Sequence, residues 1–440
     1  MHQLPPPRPS ALGPRSSNYD LIIVGGGLIG GSLACALAGT GLRIALVEAV
    51  AADAPRQPSY DERVIALSWG SRLILEAMGL WQEIAPDAAP IERVHISDRG
   101  RFGFARLDHA ELGVAALGYV VPARALGTAI RAAIEGAPDL DLLCPARLVG
   151  QRLSGERIEA EVLMGAEERG LSARLLVAAD GGDSAVRKGL GIRTDEQPYG
   201  HCAVITTVTA DRPRTGVAFE RFTETGPLAM LPMTGGRYSV VWTCRETEAA
   251  EILGLTDAEF TARLQQRFGY RLGRLGKPAP RRAYPLKLAL TREAIQPRAV
   301  LIGNAAHTLH PVAGQGFNLG LRDVAALADV LAEAAAGGRD PGAPETLAAY
   351  GRWRGRDQQG VATLTDALAR LFVNPWLPLR VARDVGMIGL DLLPPARRLV
   401  ARRFMGTGGR LPRLARGLPL GASHAAPEPE GRSSASGVQS

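Results

Sequence analysis

Cysteine is scarce in this chain of 440 residues, and its four copies are scattered. Cys35, Cys144, Cys202 and Cys244 form neither a C-x-x-C pair nor a zinc cluster. No signal peptide precedes them, so they are expected to be reduced thiols packed as small apolar residues in a cytoplasmic protein. Basic residues are not interleaved with aromatics and no recognition motif is present, which excludes a general nucleic-acid surface. No internal repeat is evident. No residues have the spacing of a metal cluster or a nucleophile triad, so a metal site is not expected. A clean membrane span is missing too. Residues 21–38 are apolar enough to imitate one, but their clustered glycines read as a strand, a turn and a helix.

What remains is an ordinary globular composition, 46% apolar and 22% charged. The net charge of +7 is unevenly placed. Residues 370–416 hold ten Arg against Asp384 and Asp391, which leaves the rest of the chain close to neutral. A local contact with anionic lipid or an acidic partner fits that imbalance. Residues 1–18 read as a disordered leader rich in Pro and Ser, and 417–440 as a disordered tail.

Strand-like runs recur at 21–24, 43–48, 174–179 and 299–302. The first and last feed glycine-rich turns followed by helical patterns, as in a parallel sheet with crossover helices. From about 200 to 295 the pattern changes to alternating and β-branched runs, with a hairpin turn at Thr234-Gly235-Gly236. The expected fold is α/β: a discontinuous Rossmann-like domain, an inserted antiparallel-sheet domain and a C-terminal helical region. The cofactor-binding domain is expected over 19–92, 117–196 and 296–365. The substrate domain takes 93–116 and 197–295, and the basic helical region 366–416.

Three turns carry the chemistry. Gly25-Gly26-Gly27-Leu28-Ile29-Gly30 follows a buried strand and opens a helix. Gly25 permits the tight turn, Gly27 lets a pyrophosphate approach the backbone, and Gly30 allows close packing. Glu48 closes the next strand, where an acid holds ribose hydroxyls and disfavours a 2′-phosphate. That suits NAD or the AMP half of FAD equally. Asp180-Gly181 forms a polar corner after the third strand, with Ser184 and Arg187 behind it. Residues 300–323 run from a strand through Gly303-Asn304, Pro311 and Gly314-x-Gly316 into a helix from Asn318 onward, a turn that points backbone N–H groups at an electron-rich ligand. Two such turns in one chain suggest one large ligand gripped at both ends.

The set Gly25-x-Gly27-x-x-Gly30, Asp180-Gly181 and Gly303-Asn304 resembles the single-component flavoprotein aromatic hydroxylases of para-hydroxybenzoate hydroxylase type. The run from Gly303 to Gly320 is similar to the ubiquinone-pathway branch. So are Asp61-x-Arg63-x-x-Ala66-Leu67, the stretch from Val94 to Gly100, Phe219-Glu220-Arg221-Phe222-Thr223, and the stretch from Gly226 to Pro232. The resemblance spans about 19 to 405. It implies FAD as cofactor, NAD(P)H as a transient reductant, O₂ as co-substrate and a polyprenyl phenol as substrate. A hydroperoxyflavin would pass its distal oxygen to the ring. A second G-x-G-x-x-G after a strand is missing, which fits a reductant site without its own Rossmann unit.

The same resemblance assigns residues. Gly25, Gly27 and Gly30 meet the pyrophosphate, Glu48 the adenosine ribose, and Arg63 lies near pyrophosphate or flavin. Arg124 belongs with the cofactor-binding residues, and Asp180 supports the cofactor at its corner. Asn304 stands where the family carries Asp against the ribityl chain; it keeps an acceptor oxygen and loses the charge. Pro311 through Asn318 run beside the isoalloxazine, with Pro311, Gly314, Gly316 and Phe317 at the reacting face. Phe317 faces the substrate cavity, whereas Trp242 and Phe222 read as sheet core. His307 and His310 read as structural supports, since neither has a carboxylate nearby in sequence.

Two other functions share these motifs. One is a flavin-bearing scaffold of a biosynthetic complex. The other is a flavin reductase acting on prenyl chains. An insoluble substrate also calls for a membrane or a lipid-bearing partner, at the inner membrane or in a quinone-biosynthesis complex. Val381, Val385, Ile388 and Leu392 fall on one helical face, and Arg397, Arg398, Arg402 and Arg403 follow Pro394-Pro395. That segment reads either as a reversible lipid-docking element or as a helix packed on its own domain.

Overall fold

Strands Asn18–Val24, Ile44–Val47, Leu140–Leu143, Glu167–Ala178 and Ala299–Leu301 lie side by side in one sheet, with every neighbouring pair parallel. A single register row crosses it through Val300, Val177, Ile23, Leu46 and Leu142. Apolar clusters cover both faces, which is why these strands read as continuous hydrophobic runs. This computed structural model describes residues 18–51, 54, 63–309, 314–373 and 376–420. Helix Leu28–Leu37 makes the first crossover, and helix Gln315–Ala336 packs against it.

Among the described residues the second sheet has nine strands. Thr194–Ala210, Val217–Thr223, Gly226–Pro232, Arg237–Arg245 and Arg282–Thr291 pair antiparallel with their neighbours of this set. Arg93–Asp98 and Phe104–Asp108 extend it, the first of them parallel to Val217–Thr223. Through these two strands, residues 93–98 and 104–108 join the inserted sheet. A small third sheet, Val64–Ser68 with Gly118–Pro122 and Ala89–Ile91, lies outside both.

Several boundaries differ from the sequence reading. Asn18 is no longer leader, because it pairs with Ser172. The divisions at 196/197 and 365/366 fall inside the strand Thr194–Ala210 and the helix Pro344–Val373. Residues 417–420 belong to the folded body: Leu418 N donates to Arg413 O at 3.0 Å, and Leu420 packs on the main core. The remainder of the leader and tail lies outside the described residues.

The C-terminal segment forms two helices, Leu377–Leu392 and Pro394–Phe404. The first is turned inside out. Arg383, Asp384, Met387 and Asp391 face inward and are buried, while Val381, Val385 and Leu392 face outward, Leu392 with 71% exposure. Ion pairs compensate the buried charge. Arg383 pairs with Asp98, Asp391 lies 2.8 Å from Arg106, and Arg397 lies 2.9 Å from Glu111. Among the described residues no helix is long and apolar enough to cross a membrane.

Candidate active site

The first glycine turn is required by the protein's own packing at two of its three positions. Gly25 has φ +99°, and a Cβ there would meet Ala179 O at 2.5 Å; at Gly30 it would meet Gly25 O at 1.8 Å. Gly27 is the residue before helix Leu28–Leu37, and no side chain caps that helix. Its first N–H groups are therefore open to an anion. Glu48 is anchored beside them, accepting from Gly26 N and Val50 N, each at 2.7 Å. The cleft at Glu48 and the main cavity share Gly27 and Leu28 in their walls, so one groove connects them.

The Asp180 corner is built the same way. Its Oδ2 accepts from Ala185 N at 2.7 Å and Val186 N at 3.2 Å, while Oδ1 is buried without a partner. Arg187 fastens this corner to the 303 turn, donating to Gly182 O at 2.7 Å and to Ala305 O at 2.9 Å. Two motifs more than a hundred residues apart are thus one rigid piece.

The 300–323 block carries a carboxylate that sequence reasoning missed. Asp323 is fully buried. It accepts from Gly303 N at 3.1 Å, from Arg354 Nε at 2.8 Å and from Gln358 Nε2 at 2.9 Å, and it lies 2.6 Å from His307 Nε2. Against the cost of burial, His307 and the Arg354 guanidinium hold its carboxyl well below the ordinary range. His307 therefore does have a carboxylate partner, 16 residues on and brought round by the helix. It is a support, as expected. His310 and Pro311 lie outside the described residues, as does Asp61.

Asn318 differs from its expected role. Its Oδ1 accepts from Ser68 N at 2.8 Å and Ser71 Oγ at 2.7 Å; its Nδ2 donates to Ala66 O at 2.8 Å and Gly314 O at 2.7 Å. Those four bonds use the whole capacity of an amide. The side chain clamps the turn and has nothing left for a ligand. Arg124 is half-exposed, 3.7 Å from Asp87, and does not line the cavity. Arg63 does line it, with its guanidinium 5.5 Å from the Tyr284 ring centroid.

Gly314 and Gly316 are glycines for different reasons. Gly314 has φ +61°, and a Cβ would lie 3.0 Å from Ala66 Cβ. Gly316 has no such constraint: a Cβ would meet nothing within 4 Å, and the position opens on the cavity. The protein leaves that space for something else. The open helix N-terminus, the unpartnered Asp180 oxygen and the space at Gly316 fit an extended dinucleotide reaching from Glu48 to the 314–317 turn.

One cavity of about 1040 Å³ runs from Gly27 along this groove and continues past that turn. Asn304, Gly316 and Phe317 stand at its cofactor end. The antiparallel sheet and the two C-terminal helices, through Met387, Leu390 and Phe404, enclose the other. Phe222 is buried yet borders it, while Trp242 is wholly core.

A family model described as an FAD binding domain matches residues 18–364. Ubiquinone hydroxylase UbiL of Rhodospirillum rubrum is 40% identical over 419 residues, covering 94% of this chain and 97% of that protein. The chain belongs to the FAD-dependent hydroxylase family of ubiquinone biosynthesis. The 3-demethoxyubiquinol 3-hydroxylase of Escherichia coli is 32% identical, covering 84% and 94%. In fold, the chain resembles p-nitrophenol 4-monooxygenase PnpA from Pseudomonas putida, with a TM-score of 0.75 at 19% identity over 90% of this chain and 100% of that one. The fold is that of the para-hydroxybenzoate hydroxylase type, and the protein is an FAD-dependent aromatic-ring monooxygenase.

Proposed function

We propose that the chain hydroxylates the ring of a polyprenylated phenol, using NAD(P)H and O₂. The observation that carries this is the continuity of the cavity. The space left at Gly316 opens directly into a mostly apolar chamber, and the two form one cavity. When bound, FAD supplies the redox chemistry and the oxygen activation. The protein's share is placement and electrostatics. The N–H groups at the start of helix Gln315–Ala336 favour negative charge on the ring system beside them. Phe317, Leu309 and Phe222 keep water from the reacting face.

The motifs between 219 and 232 and between 303 and 320 resemble 2-octaprenyl-6-methoxyphenol hydroxylase, and we take a prenylated methoxyphenol as the specific substrate. FAD-loaded protein is given NAD(P)H, ¹⁸O₂ and a short-chain prenylated methoxyphenol. Mass analysis is expected to find one labelled hydroxyl on its ring. NAD(P)H oxidation without label in the ring would sink the reading in favour of a reductase. No turnover at all would favour a scaffold of a quinone-biosynthesis complex.

The same reading includes a peripheral contact with an anionic membrane on the cytoplasmic side. Trp376, Val381, Val385, Leu392, Leu393 and Leu399 are exposed, and Arg398 and Arg402 stand beside them in the open. An apolar face with basic neighbours suits an anionic lipid surface. Arg397 is an internal anchor, so the test uses Arg398→Gln with Arg402→Gln and, separately, Val385→Ser with Leu392→Ser. Co-sedimentation with anionic vesicles should fall in both; binding unchanged in both would remove the membrane contact.

A further inference from the structure

The apolar chamber holds one acid. Across the antiparallel sheet a single register row runs Ala105, Ile96, Glu220, Ala229, Val241 and Ile205. Every member of that row lines the cavity. Side chains alternate along a strand, so Arg221 points to the opposite face and Phe219 goes into the core beneath. Glu220 thus stands among alanine, isoleucine and valine, enclosed by protein and open only toward the cavity.

Among the described residues nothing compensates it: no donor and no cation pairs with its side chain. The other charged groups on the chamber are engaged elsewhere. Arg383 is paired with Asp98, and Arg63 lies against Tyr284. Asp384 does not line the chamber and lies 4.0 Å from Arg101. The cross-strand neighbours of Glu220, Ile96 and Ala229, carry no charge. A carboxyl buried this way costs several kcal/mol, on the order of an unpaired polar group or more. A structural role would have supplied it with a partner.

We propose that Glu220 is the catalytic base that takes the hydroxyl proton of the phenol substrate. This rests on the proposed function above. The O–H bond of the phenol breaks, its proton joins a carboxylate oxygen of Glu220, and the electron pair stays on the phenol oxygen. That charge spreads to the ortho and para carbons, which then attack the electrophilic oxygen delivered from the cofactor side. The delivered hydroxyl leaves its bonding pair on the oxygen at the cofactor side, and the substituted carbon gives up its own hydrogen as a proton that ends on that oxygen, released as water, restoring aromaticity. Glu220 returns its proton to the phenolate oxygen and ends as it began.

The environment supports this role. Desolvation pushes the Glu220 carboxyl up to about 7. The gap to an ordinary phenol, near 10, narrows to roughly 3 units, where a carboxylate becomes a competent base.

Glu220→Gln keeps the shape and removes the base. Full-length, FAD-loaded wild type and variant are compared on a prenylated phenol and on a fluorinated analogue whose hydroxyl ionises near neutrality. The variant is expected to retain bound flavin and to lose about tenfold or more in kcat on the ordinary phenol. On the acidic analogue it should lose no more than about threefold, because that substrate arrives ionised. The wild-type kcat should rise with pH through about 7 on the ordinary phenol, and the variant should lack that limb. Equal losses on both phenols, or a variant that keeps the wild-type rate and profile, would overturn the proposal. If the variant yields no flavin-loaded protein, the wild type decides alone: the limb near 7 must be present for the ordinary phenol and absent for the acidic one. A wild type that hydroxylates neither phenol fails the proposed function itself, a different result from either.

Discussion

His307 Nε2 lies 2.6 Å from Asp323 Oδ2, and through this contact the strand end at 303 and the helix that follows it become one unit. Asp323 also takes the Gly303 N–H and the Arg354 guanidinium, so three separate elements meet on one carboxylate.

Asp323→Asn should therefore be severe. It removes the buried carboxylate that Arg354 and His307 share and leaves Arg354 with Asp357 alone, at a cost of about 3 kcal/mol. Thermal unfolding of the flavin-free protein measures it. The sign with pH follows from the depressed carboxyl. The stabilisation is complete above the unfolded-state value of about 3.9 and is lost as pH falls through the lower folded-state value. The wild-type advantage over the Asn variant should be constant above about pH 5 and shrink below about pH 4. An advantage that grows in acid would contradict the pairing.

Gly314 and Gly316 should separate in their effects. Gly314→Val forces a branched side chain into the left-handed region and against Ala66, costing about 1–3 kcal/mol without any ligand, and flavin binding should be lost. Gly316→Ala should leave the flavin-free protein as stable as before, or up to about 1 kcal/mol more so, because Ala suits a helix better. It should nonetheless weaken FAD binding about tenfold or more, roughly 1.4 kcal/mol. Paired unfolding curves and flavin-fluorescence titrations check both. A Gly316→Ala variant with full FAD affinity would mean that no ligand occupies that space.

Asn318→Ala strands four buried partners at once: Ser68 N, Ser71 Oγ, Ala66 O and Gly314 O. A loss of about 2–4 kcal/mol is expected, with weaker flavin binding as a consequence of a loosened turn. If stability is unchanged while flavin binding alone is lost, Asn318 is a ligand after all and not a clamp.

Glu220 makes a prediction in the opposite direction. Its carboxyl is raised when folded, so the folded state holds a proton that the unfolded state gives up between about 4.5 and 7. Stability conferred at this site is therefore highest below about pH 4.5 and falls until about pH 7. Glu220→Gln removes that loss. The variant should match the wild type near pH 4.5 and exceed it at pH 8 by up to about 3 kcal/mol in chemical denaturation. No gain at pH 8 would show that the cavity hydrates the carboxylate well.

Much of the fold was legible because its signals are local. The runs at 21–24, 175–179 and 299–302 are uniformly apolar because apolar clusters cover both faces, and residues 25–30 and 303–316 announce their turns through glycine. The inserted sheet showed through alternation and the Gly235-Gly236 turn. What stayed hidden needs register or distance. Asp323 looks like any acid in a helix until Arg354 arrives from another. Glu220 is unremarkable in Phe-Glu-Arg-Phe until the five apolar residues of its row are known. The apolar face at 381, 385 and 392 was visible in the periodicity, but not that the protein would bury the charged face instead.

The far wall of the cavity comes from Met387, Leu390, Phe404 and their neighbours, beyond the point at 364 where the match to the FAD-binding family model stops. Synthesis runs from the N-terminus, so the glycine turns of the cofactor groove are made before this wall has left the ribosome. A chain cut near 375 would own the means of reduction and of meeting oxygen, but not the container in which oxygen is spent on a substrate.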